Sequence, residues 1–77
     1  MAPSFDAQET SWLRAVKRKF EQRDLHDKTL DQRKDLFVED LRNLLEQTAP
    51  DKSAVQRLIG NVDEMPSGDF WALYRTL

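Results

Sequence analysis

The sequence predicts an all-α fold: a compact three- or four-helix bundle with two longer helices followed by two short ones. Three observations carry that expectation. Apolar residues recur at spacings of three and four along most of the chain. No segment sustains the period-two alternation of a strand. Two Gly and three Pro punctuate the 77 residues and divide them into four segments.

The first helix starts beside Asp6. Asp6-x-x-Glu9 is a capping-box pattern, in which each side chain meets the other residue's backbone amide. Phe5 stands at the staple position before it. Trp12, Leu13, Val16 and Phe20 then share one face, and the helical pattern runs to about Arg23. Asp24-Leu25-His26-Asp27-Lys28 contains several poor helix formers and reads as a connection.

A second capping box, Thr29-x-x-Gln32, opens the longest helix, about 30–48. Leu30, Phe37, Leu41, Leu44 and Leu45 form its stripe, widened by Leu36 and Val38. Pro50 stops it, because a residue before proline disfavours the α region. The third helix begins at Pro50 or Asp51 and carries Val55, Leu58, Ile59 and Val62. Gly60 either caps it or lies inside it, at a cost of about 1 kcal/mol relative to Ala. The fourth follows Met65-Pro66-Ser67-Gly68, with Ser67 or Asp69 as cap. It crowds Phe70, Trp71, Leu73, Tyr74 and Leu77 into eight residues, too few to stand alone. The expected core is Trp12, Leu13, Val16, Phe20, Phe37, Leu41, Leu44, Val55, Leu58, Ile59, Phe70, Trp71 and Tyr74.

Composition bounds the function. Residues 1–77 read as one helical domain, with 1–5 as an N-terminal tail; the chain could equally be one domain of a longer protein. A domain this size buries only about 60–65% of its unfolded surface, so its core is small. The absence of Cys excludes disulfides and thiolate metal sites. One His argues against a His-rich zinc site. No secretory leader or run of about 20 apolar residues is visible, so cytoplasmic residence is the expectation. Tyr74-Arg75-Thr76-Leu77 matches a tyrosine-based sorting pattern, but Tyr74 and Leu77 read better as core residues of the last helix.

Charge is the next signal. The net charge is −2, yet Arg14, Lys17, Arg18, Lys19 and Arg23 crowd into ten residues. Arg14, Lys17 and Arg18 share one helix face, which could grip phosphates. Residues 1–30 carry six basic and five acidic side chains, whereas 31–77 carry six and nine. On the second helix Asp31, Asp35 and Glu39 lie four apart. With Arg33, Lys34 and Arg42 interleaved, they read as a solvated, salt-bridged face rather than an acid–base pair. His26 reads as an exposed loop residue. Gly60 and Ser67-Gly68 lack the pattern of a phosphate loop.

The expected function is a small non-catalytic protein–protein interaction module: an adaptor, a regulatory domain or a recruiting domain. Trp71 and Leu36 or Val38 are its expected apolar anchors, rimmed by Arg14, Lys17, Arg18, Asp35 and Glu39. Anchors of that kind supply affinity and a charged rim supplies orientation. The partner is another protein or a second copy of the chain. No cofactor, metal, membrane or small-molecule substrate is expected, and no catalysis, since the bundle offers little volume for a pocket of about 300 Å³. The alternative is a small DNA- or RNA-binding regulator that uses the basic face of the first helix.

Overall fold

The structure, a computed structural model, describes residues 5–48 and 51–77. Its four helices are α1 (Ala7–Phe20), α2 (Leu30–Thr48), α3 (Lys52–Glu64) and α4 (Ser67–Thr76). There is no strand among the described residues. The lengths of 14, 19, 13 and 10 residues follow the expected order.

Local chemistry starts the first three helices. Asp6 accepts from the Glu9 amide at 2.7 Å, and Glu9 accepts from the Asp6 amide at 3.2 Å. Thr29 and Gln32 form the same reciprocal pair, at 3.2 and 2.9 Å. Asp51 caps α3 by accepting from the Ser53 and Ala54 amides. The Pro50 expectations lie outside the described residues.

Two boundaries differ from expectation. Helix α1 ends at Phe20, not Arg23. The Gln22 and Arg23 amides donate to carbonyls three residues back, which tightens the chain out of α geometry. Helix α4 is capped by neither Ser67 nor Asp69. Pro66 is its N-cap residue, without a side-chain bond, and the Ser67 hydroxyl donates to Asp31 on α2 instead. Gly60 lies inside α3.

Helix α2 is the hub, and α1, α3 and α4 each pack against it. Phe37 marks its centre, fully buried. The Phe37 ring meets Phe20 from α1 edge-on at 5.5 Å and Phe70 from α4 at 5.2 Å. Leu13, Val16, Val38, Leu41, Leu45, Val55, Leu58, Ile59, Val62 and Met65 complete the core. Trp12, Leu44, Trp71 and Tyr74, expected inside, are half-buried at its margin. Val38, Leu45, Val62 and Met65 are buried beyond the expected set. The shortest axis is 18 Å, less than two helix diameters of about 10–12 Å. Each helix therefore keeps one face outward.

Candidate functional site

The structure distributes the predicted partner-binding residues over separate surfaces. Arg14 and Arg18 are exposed on α1, where they flank a shallow depression of about 310 Å³ with Ala7, Ser11 and Ala15. Lys17 leaves that face. Its Nζ lies 4.9 Å from the centre of the Tyr74 ring and 3.9 Å from the Glu21 carboxylate. Asp35 and Glu39 are exposed on α2, and Leu36 is half-buried beside them in sequence. Val38 corrects one expectation: at 6% exposure it belongs to the core and offers no anchor.

Trp71 is half-buried, and its faces are already engaged. It stacks on Tyr74 with centroids 5.0 Å apart and planes 6° from parallel. The Arg33 guanidinium lies over it at 5.2 Å. Two cations thus bracket a stacked aromatic pair, and each is attracted by a ring's negative face. Arg33 also donates to the Leu25 carbonyl at 3.0 Å, while its Nε is buried without an acceptor. This column ties α4 to α1 and α2. Burial raises the Tyr74 hydroxyl above its usual pKa of 10.0, and the nearby Glu21 carboxylate adds to the shift; Arg33 opposes it.

The expected salt-bridged face of α2 does not form from the cations interleaved in it. Lys34 turns to the end of α3 and donates to the Asp63 and Met65 carbonyls, both at 2.8 Å. That places a positive charge where a helix C-terminus is negative. Arg33 is held by Trp71 and Leu25. Among the described residues the ion pairs within 4 Å are Lys17–Glu21 and Arg23–Asp40.

The Arg23–Asp40 pair escaped the sequence reading. Asp40 is 2% exposed. Arg23 reaches it with two parallel bonds, Nε to Oδ2 at 3.0 Å and Nη2 to Oδ1 at 2.6 Å. The Asp40 hydrogen bond, then its charge, holds the Arg23 proton more tightly than usual, while burial opposes. A signal existed: Asp40 stands three after Phe37 and four before Leu44, within the apolar face. A carboxylate there needs a partner.

A depression between two helices was also missed. An open groove of about 660 Å³ runs between α2 and α3. This corrects the expectation that the bundle lacks room for 300 Å³. Arg42 and Glu46 lie along its α2 wall, Lys52, Gln56, Gly60 and Asp63 along α3, with Leu45, Val55 and Ile59 at its base. Gly60 bounds it with bare backbone, and a Cβ built there meets nothing within 4 Å. Among the described residues no cluster of three or more His, Cys, Asp or Glu side chains is placed to hold a metal ion.

Among the described residues, fold and surface together give a small all-α bundle: a central helix flanked by three others, with an open groove between α2 and α3 that carries both signs of charge. No protein-family model, curated protein or solved structure matches the chain. Among the described residues, no helix is long and apolar enough to cross a membrane.

Proposed function

We propose that this chain is a small non-catalytic interaction module that docks another polypeptide through helix faces. The observation that carries the reading is the α2–α3 groove. Its apolar floor and two-signed rim fit the side of a helix better than a polyanion. Adaptor, regulatory and recruiting roles are the forms this reading takes. A cytoplasmic setting belongs to the same proposal, since the domain has no cysteines and so lacks the disulfides typical of small secreted domains.

The competing reading, nucleic-acid binding by α1, draws on fewer free cations than the sequence offered. Lys17 is engaged by Tyr74 and Glu21, and Arg23 by Asp40. Arg14, Arg18 and Lys19 remain exposed. Phosphate binding scales with the number of cations free to displace counterions.

A photoreactive residue placed at Gln56 or at Arg14, in cells that make the protein, tests the proposal. Capture of polypeptide from Gln56, unchanged by nuclease, is the expected result. Capture of nucleic acid from Arg14, with nothing from Gln56, contradicts it and favours the α1 reading.

A further inference from the structure

The groove side of α3 carries a charge pattern that the core does not explain. Lys52, Gln56, Ile59 and Asp63 follow one another at spacings of four, three and four. That places them along one side of the helix, and all four border the groove. Lys52, Gln56 and Asp63 are exposed, and Ile59 lies between them at the groove floor. The spacing is the same read in either direction, while the charge is positive at one end and negative at the other. Laid against itself head to tail, the series sets Lys52 opposite Asp63, and Gln56 opposite Ile59, twice over. Such self-complementarity is what a twofold interface requires, because residue i meets j and j meets i.

Gly60 supplies a second observation. Glycine inside a helix is unfavourable relative to alanine. Nothing in the chain demands it here: its backbone is ordinary helix and a Cβ would enter open space. It follows Ile59 directly and lines the groove with it, so the absence of a side chain leaves room there for a second helix to approach closely.

We infer that the α2–α3 groove receives α3 of a second copy of this chain, antiparallel, with Lys52 of each copy paired to Asp63 of the other. The inference rests on the interaction-module reading and names its partner. The floor is shallow and each dimer has two ion pairs at its ends, so association is weak and falls with salt.

Charge reversal tests it, with each variant's melting temperature read alongside because Lys34 already places a positive charge at the Asp63 carbonyl. Lys52→Glu puts a negative charge in the first turn of α3 and Asp63→Lys a positive one in its last turn, both favourable to the helix dipole. Sedimentation equilibrium should show a salt-sensitive dimer for the wild type, with dimerisation about tenfold weaker or more in either single variant. An equimolar mixture of the two variants should dimerise again, because the mixed pair sets opposite charges against each other at both ends: the introduced glutamate meets the introduced lysine, and the unchanged Asp63 of one copy meets the unchanged Lys52 of the other. Gly60→Leu should melt no lower than the wild type and remain monomeric. A wild type monomeric up to about 1 mM, single variants that dimerise like the wild type, or a mixture that stays monomeric overturns the inference. The docking proposal is judged separately: in that event Gln56 capture of a different polypeptide upholds it, and no polypeptide capture from Gln56 removes both.

Discussion

Asp40 shows how one residue shapes this fold. Its carboxylate is enclosed by the helices, yet it faces a guanidinium whose side chain is 42% exposed. The two partners are therefore not equivalent. Arg23→Ala leaves a buried charge without a donor and should cost about 2–3 kcal/mol. Asp40→Leu removes the buried charge, and Arg23 can then turn to water, so its loss should be smaller. Urea denaturation of both variants checks the order. Tyr74 gives a second test at this scale. It is the chain's single tyrosine, so tyrosinate absorbance reports it alone. Its folded pKa is raised above 10.0, so the folded state holds the proton that the unfolded state releases first. The stability linked to Tyr74 is therefore intact below pH 10 and is lost as pH climbs through the folded value. Alkaline melting should drop less in Tyr74→Phe than in the wild type; an equal drop in both would locate the cause elsewhere.

At the scale of elements, the helix starts and most of the central stripe were legible because they depend on neighbours in sequence. The boxes at Asp6–Glu9 and Thr29–Gln32, and the burial of Phe37 and Leu41, follow from local spacing. The flanks were harder to read. Three helices dock around α2, so its buried arc widens to include Val38 and Asp40, which a single stripe does not reveal. Ser67 was read as a cap from its own residue type. Its hydroxyl is taken by Asp31, 36 positions away in sequence. Gly60 makes the element-scale prediction. Its helix tolerates a side chain, so Gly60→Ala should raise stability by about 0.5–1 kcal/mol in chemical denaturation. A loss instead would mean that α3 needs a bare backbone for its own packing.

For the whole molecule, the groove was invisible in the sequence because it exists only where α3 lies beside α2. Its walls come from residues as distant as Arg42 and Asp63, whose separation says nothing of their meeting. The basic charges that cluster in sequence are divided by tertiary contacts: Arg23 folds onto Asp40, and Lys17 leaves the face it shares with Arg14 and Arg18 for Tyr74. What remains is a small helical bundle with an open groove between its second and third helices. The most direct measurement introduces Gly60→Leu into the protein bearing the photoreactive residue at Gln56 and compares capture with melting temperature. Loss of polypeptide capture with melting unchanged or raised is the predicted result. Full capture with the groove filled would contradict the assignment of this surface.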